Sequence, residues 1–194
     1  MEYSDKDVNN DINNDIIKII NKNKHNVCKL LCEIGNTSIL DFILLSQNVE
    51  LMKYLLKKQI ITTNYITREK LSLCFAIMKY SPDPMNMYKE LESYNLNFMK
   101  LDMHDVTLMH AMFSLDQYDK NLIQYLVSKG CDIHCVDASN HTPIHYAISF
   151  LENNGNIVAK LDAIKYLINN GAVVDELCYE LAKNKKMYFN LSDF

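Results

Sequence analysis

One pattern returns along this chain at intervals close to 35 residues, and that period limits its folds more than any other feature. Thr107 heads Thr107-Leu108-Met109-His110-Ala111, and Thr142 heads Thr142-Pro143-Ile144-His145-Tyr146-Ala147, 35 positions later. Thr37, in Gly35-Asn36-Thr37-Ser38-Ile39-Leu40, lies 70 positions before Thr107, which leaves room for one more unit. A degenerate copy, Leu71-Ser72-Leu73-Cys74-Phe75-Ala76, begins 34 positions after Thr37. A fixed period of this length is the mark of a stack of small units, each burying its apolar face on its neighbours.

A second pattern follows each of the better copies. Val49-Glu50-Leu51-Met52-Lys53-Tyr54-Leu55-Leu56, Asn121-Leu122-Ile123-Gln124-Tyr125-Leu126-Val127 and Asp162-Ala163-Ile164-Lys165-Tyr166-Leu167-Ile168 place apolar residues at i, i+3 and i+4. That spacing gives a helix one buried stripe. Gly130 and Gly171 follow the last two of these helices, where a left-handed C-terminal cap needs glycine. Each unit therefore reads as two helices. The first starts at a threonine that caps free N–H groups, and Pro143 suits the first helical position because its missing N–H has no partner there.

Thr142-Pro143-Ile144-His145 resembles the Thr-Pro-Leu-His signature of ankyrin repeats, with Ile144 in the leucine position. The resemblance spans about 32–175 and implies an all-α fold: an ankyrin-repeat solenoid of about four helix-turn-helix repeats with helical N- and C-terminal caps. The expected division is 1–31 for an N-terminal tail and capping helices, then repeats 32–65, 66–101, 102–136 and 137–175, then 176–194 for a C-terminal cap helix and tail. For 66–101 an ordinary helical hairpin inserted between true repeats is the alternative. Residues 1–14, rich in Asn and Asp, are expected to fray, with a short helix from Asp15 and another over about 26–33. The fourth unit is longer than the third. Its surplus around Glu152–Lys160 implies a loop between the helices and a second helix extended backwards.

The irregular style of the repeats, in Asn48–Leu56, Thr142–Ile148 and Asn154–Leu167, is similar to that of poxvirus ankyrin proteins. That resemblance implies a non-catalytic module that binds a host defence or signalling protein. The classes known from such proteins are NF-κB pathway proteins, a necroptosis kinase and antiviral restriction factors. A host cullin ubiquitin ligase enters only if the chain is a fragment of a longer protein carrying an F-box. A cellular ankyrin adaptor is the alternative owner of the same fold.

Binding residues carry over by register onto the hairpin tips and the exposed side of the first helices. They are Thr67, Arg68 and Lys70; Met103, His104, Val106, Ser114 and Leu115; and Ala138, Ser139, His141, Ser149 and Phe150. Met103, Val106 and Phe150 are the apolar members, expected to be exposed. For Phe150, packing beneath the 152–160 loop is the alternative. Thr107, His110, Ala111, Thr142, Pro143, His145 and Ala147 read as structural.

Bulk properties exclude other classes. The formal charge of −4 provides no basic footprint for nucleic acid. No apolar run approaches the roughly 18 residues of a membrane span, and the polar N-terminus lacks the apolar centre of a secretory signal. A cytoplasmic or nuclear protein with reduced thiols is expected. Cys131, His134, Cys135 and His141, with His145 nearby, could be read as zinc ligands. The repeat register places the two cysteines at the alanine-like positions of a turn and makes His145 part of the hairpin, so no metal and no cofactor is expected. Nucleophile elbows, phosphate loops and paired-carboxylate motifs are missing from the sequence, which argues against an enzyme.

Overall fold

Helices of seven to nine residues are too short to persist alone, so their starts and neighbours decide this structure. In the computed structural model, which describes residues 5–22, 38–67, 69–102, 104–115, 117–151 and 157–184, ten α-helices are seen. They are α1 (Asp5–Lys22), α2 (Ile39–Leu45), α3 (Val49–Lys57), α4 (Leu73–Tyr80), α5 (Pro84–Glu90), α6 (Leu108–Ser114), α7 (Lys120–Ser128), α8 (Pro143–Ser149), α9 (Ile157–Asn169) and α10 (Glu176–Asn184). One isolated antiparallel bridge, Ile66 to Ser72, is the sole extended pairing among the described residues.

The helix starts carry the period. Ser38, Ser72, Thr107 and Thr142 are the N-caps of α2, α4, α6 and α8, spaced 34, 35 and 35 residues apart. Ser38, rather than the expected Thr37, caps the first unit. The reason is reciprocity: Asp41 N–H donates to Ser38 Oγ at 3.0 Å, and Ser38 N–H donates to the Asp41 carboxylate at 2.9 Å. Thr37 has Leu40 three residues on, which offers no acceptor, and itself lies outside the described residues. Asn48, Asp83 and Asp119 cap α3, α5 and α7 in the same way. Pro84 takes the first position of α5, a start encoded by Asp83-Pro84 that the apolar pattern did not reveal.

Two rows result. The first helices α2, α4, α6, α8 and α10 pack side by side in that order, and each of α2, α4, α6 and α8 packs against the second helix of its own unit. The stack is an all-α solenoid. Its core is continuous through Leu40, Ile43, Leu44, Leu73, Ile77, Met109, Met112, Phe113, Ile144 and Ile148, all buried. Gly130 and Gly171 end α7 and α9 at φ 92° and 93°. Gln59 and Asn95 take the left-handed position in the first two units, at φ 54° and 55°, so the glycine signal is lost there while the turn is kept.

The N-terminal helix is longer than expected and starts at Asp5 instead of fraying to residue 14. Val8, Ile12, Ile16 and Ile20 recur every four residues in the sequence, an apolar spacing that the Asn and Asp residues obscure. Ile20 is buried, and Ile16 and Ile17 pack on the core. Asn48 Nδ2 donates to Asn13 Oδ1 at 2.6 Å and Tyr54 OH to Asn21 Oδ1 at 3.1 Å, which lays α1 along α3. The helix expected over about 26–33 and the start of the 152–160 loop lie outside the described residues. As the length of the fourth unit implied, α9 is extended backwards, to 13 residues.

An aromatic cluster joins α5 to α7. Phe98 meets Tyr88 edge-on at 5.1 Å and Tyr125 edge-on at 6.0 Å. Tyr88 is fully buried, and its hydroxyl donates to the Cys74 carbonyl at 2.7 Å. The Tyr125 hydroxyl is buried without a hydrogen-bond partner among the described residues. Tyr125→Phe is therefore expected to be neutral or to stabilise by up to about 1 kcal/mol, whereas Tyr88→Phe costs about 1 kcal/mol, since only the second loses a made bond. Urea unfolding of the two variants checks the contrast.

Candidate partner-binding surface

Between the helical pairs the chain makes a tip turn, and three tips share one geometry. Thr67, Asp102 and Asp137 open the turns, and the backbone N–H of each donates to the carbonyl four residues later, at 2.8, 3.1 and 3.0 Å. A side-chain oxygen of the opening residue accepts from the same later residue's N–H: Leu71 at 3.1 Å, Val106 at 3.0 Å and His141 at 2.8 Å. Lys70, Asp105 and Asn140 hold left-handed φ of 63°, 57° and 62° at equivalent places. Asp137 is the most engaged. Oδ1 accepts from the N–H of Ser139 and His141, both at 2.8 Å, and Oδ2 accepts from Tyr146 OH at 2.8 Å. Burial pushes this carboxyl up, but the His141 amide, the Tyr146 hydroxyl and the Ser139 amide outweigh it and hold the group below the ordinary aspartate range.

Two histidines fasten the tips to the helices. His110 Nδ1 accepts from Thr107 N–H at 3.2 Å, and His145 Nδ1 accepts from Thr142 N–H at 2.9 Å. The opposite nitrogens reach onward, His110 Nε2 to the His141 carbonyl at 3.0 Å and His145 Nε2 to Asp175 Oδ1 at 2.9 Å. A carbonyl and a carboxylate can only accept, so both neutral rings carry their proton on Nε2. Burial holds His110 below the ordinary imidazole value, against the upward pull of the His141 carbonyl and of Asp137 and Asp102.

These bonds bear on metal binding. His145, Asp175 and Cys178 place one donor atom each within 4.8 Å of one another. The donor set resembles a zinc site, but its parts are already used. His145 Nε2 carries a proton, and Asp175 Oδ1 also accepts the Cys178 N–H at 3.0 Å as the cap of α10. Burial lifts the Cys178 thiol to about 12. Cys131, His134, Cys135 and His141 have four different neighbours. Cys131 Sγ faces the Phe98 carbonyl, Cys135 Sγ lies 3.3 Å from Thr107 Oγ1, His134 stands beside Gly171, and His141 Nδ1 is 3.6 Å from Asp137 Oδ2. Burial also raises Cys131 and Cys74 to about 12, which leaves them protonated and poor nucleophiles.

The residues expected to bind divide into three groups. Arg68 and Met103 lie outside the described residues. Lys70, His104, Ser139 and His141 are on the three tips, with Lys70, His104 and Ser139 exposed and His141 half-buried. Val106 was expected to be exposed, but it is half-buried against the core. It precedes the cap Thr107, where an apolar side chain packs back over the first turn of its helix. Leu115 also packs against the core, at the C-cap of α6. Phe150 holds the equivalent place on α8 and is 42 % exposed, its ring 6.0 Å from that of Tyr146.

The apolar register at the sequence level missed other members of this surface. Phe42 and Leu45 on α2 are exposed, as are Ile66, Leu101 and Val136 on the tips. Their signal was available: Ile66, Leu101 and Val136 are 35 residues apart, each directly before the residue that opens a tip turn. Glu69 crosses from the second tip to α4, accepting from Lys79 Nζ at 2.6 Å and Tyr80 OH at 2.7 Å.

Residues 139–178, from the fourth unit's tip through α8 and α9 into α10, match the family model of the ankyrin repeat. That segment carries a repeat whose ordinary business is protein–protein interaction. No curated protein matches the chain. Among the described residues no helix is long and apolar enough to cross a membrane.

Two outcomes follow from the tip network. Asp137→Ala strands two tip amides and is expected to cost about 2–3 kcal/mol in urea unfolding. Neutral His110 contributes fully above the ordinary imidazole value of about 6.5. That contribution is lost as pH falls towards its depressed value, because the unfolded chain takes up the proton first. Unfolding free energy is expected to fall as pH drops below the ordinary imidazole value of about 6.5, and His110→Gln to flatten that fall.

Proposed function

We propose that this chain is a non-catalytic protein-binding module whose recognising surface is the open flank formed by the tips and the exposed sides of the first helices. The reading takes 32–65, 66–101, 102–136 and 137–175 as the units that carry it, with Lys70, His104, Ser139, His141 and Phe150, and with Arg68 and Met103 at the neighbouring tip positions. Val106 and Leu115 support this surface from beneath. The observation that carries the reading is the exposure of large apolar side chains on the first helices and tips, Phe42 and Leu45 on α2, Ile66, Leu101 and Val136 on the tips and Phe150 at the end of α8; Val127 and Val158 on the second helices are exposed as well. Side chains of this size cost solubility when no partner covers them. Groups that could do chemistry nearby are engaged: the two capping histidines bond to backbone and carboxylate, the Cys74, Cys131 and Cys178 thiols are buried, and the half-buried Cys135 Sγ lies against Thr107 Oγ1.

The partner in this reading is a host defence or signalling protein in the cytoplasm or nucleus, in keeping with the likeness of the repeats to viral ankyrin proteins. An NF-κB pathway protein, a necroptosis kinase and an antiviral restriction factor are the classes to try first. A cullin ubiquitin ligase joins them only if a longer chain supplies an F-box.

A photo-cross-linking residue at Ser149 or Leu45 is expected to capture a discrete partner from infected or stimulated host cells, and the same group at Lys57 or Lys129, on the second helices, is not. Equal capture from both faces removes the open flank as the binding surface. His104→Ala with Phe150→Ala is expected to weaken the captured complex about tenfold or more without changing the helical circular dichroism signal, the size of loss that truncating a central anchor produces.

A further inference from the structure

Ile66, Leu101 and Val136 stand directly before Thr67, Asp102 and Asp137, whose side-chain oxygens close three consecutive tip turns. They are 41 %, 45 % and 49 % exposed. The residue before each alternates to the other side: Tyr65 packs on the core, and Cys135 Sγ faces Thr107. The three apolar side chains therefore form an outward row, one per unit, apart from the core cluster.

The spacing of the row selects the shape of a ligand. Helices packed side by side lie about 8–10 Å apart, so successive tips are offset by about that much. The third and fourth tips are joined directly, with Ala138 N–H donating to the His104 carbonyl at 3.0 Å. A polyproline-II segment rises about 3.1 Å per residue with three residues per turn, so every third side chain falls on one face about 9 Å apart. A β-strand returns to the same face every second residue, about 6.6 Å on, and drifts out of step. Charge supplies the second selection. Around the third and fourth units' tips the exposed Asp105 and Asp132 and the half-buried Asp102 stand with one Lys100, Asp137 being buried and bonded within its own turn, while the second unit's tip carries the exposed Lys70; the second helices carry Lys53, Lys57, Lys89, Lys120 and Lys165.

We infer that the tip row binds a basic, polyproline-II-like segment of a partner protein, with an apolar side chain at every third position and Lys or Arg between the apolar positions that meet the third and fourth units' tips. The inference rests on the open flank being the binding face, and it names the chemistry that flank accepts.

The test is fluorescence anisotropy with three labelled peptides against the full chain. The first repeats Ile-Lys-Pro four times. The second has the same composition with isoleucine at alternate positions. The third repeats Ile-Glu-Pro. Saturable binding of the first is expected, with the other two at least about tenfold weaker, a gap of one decade in Kd. Ile66→Ser, Leu101→Ser and Val136→Ser together are expected to weaken the first peptide about tenfold or more. Asp105→Asn with Asp132→Asn is expected to weaken it less and to reduce its salt dependence. All variants change exposed residues, and circular dichroism confirms that they fold. Absence of saturable binding, equal binding of the second or third peptide, or undiminished binding by the triple serine variant overturns the inference. If the peptides fail while a cross-linker at Ser149 still captures a partner, the tip row loses its assignment and the open flank keeps its own.

Discussion

Everything in this fold depends on how its helices begin. A seven-residue helix closes few of its own hydrogen bonds and leaves four N–H groups without partners at its start. Here the starts of α2 to α8 and of α10 are met by a side chain, and in the third and fourth units the same group reaches the next unit. His110 accepts from the N–H before its own helix and donates to the tip of the following turn. His145 repeats the device and ends on Asp175, the cap of α10. Tyr118, ahead of α7, adds a bond to the Ala147 carbonyl in α8. Local closure and neighbour-to-neighbour linkage are thus one set of bonds, which is why a stack of marginal helices can hold a single arrangement.

The same economy explains what could be read from the sequence. The third and fourth units were plain because Thr-x-x-His and a terminal glycine write the cap and the turn in residue types with few other uses. The second unit was faint because its solutions are chemically different. Ser72 caps without a histidine, Thr67 replaces the aspartate of the tip, Asn95 stands where a glycine is expected, and Asp83-Pro84 starts a helix that shows no obvious apolar stripe. Geometry was kept and identity was not. The first unit shifted by one residue for a related reason: only Ser38 has an acid three residues on to complete its box. The N-terminal helix was masked by its own polarity, since Asn and Asp dominate the composition while Ile16, Ile17 and Ile20 pack on the core.

The binding surface was less readable than the frame. Register placed the tips but did not say which tip side chains turn outward. Val106, expected to be exposed, packs inward as the residue before a cap, whereas Val136, which stands before the residue that opens the next tip turn, stays in solvent. The histidines and cysteines were easier to set aside, because each belongs to a position whose demand is structural: a cap, a turn, or a small buried volume.

The junction before α10 differs from the others. Gly171 and Asp175 are separated by Ala172, Val173 and Val174 alone, where the corresponding stretch from Gly130 to Thr142 winds through a full turn. The helical row therefore runs one helix past the last tip, and α10 covers the side of α8 that the fourth unit would otherwise leave bare.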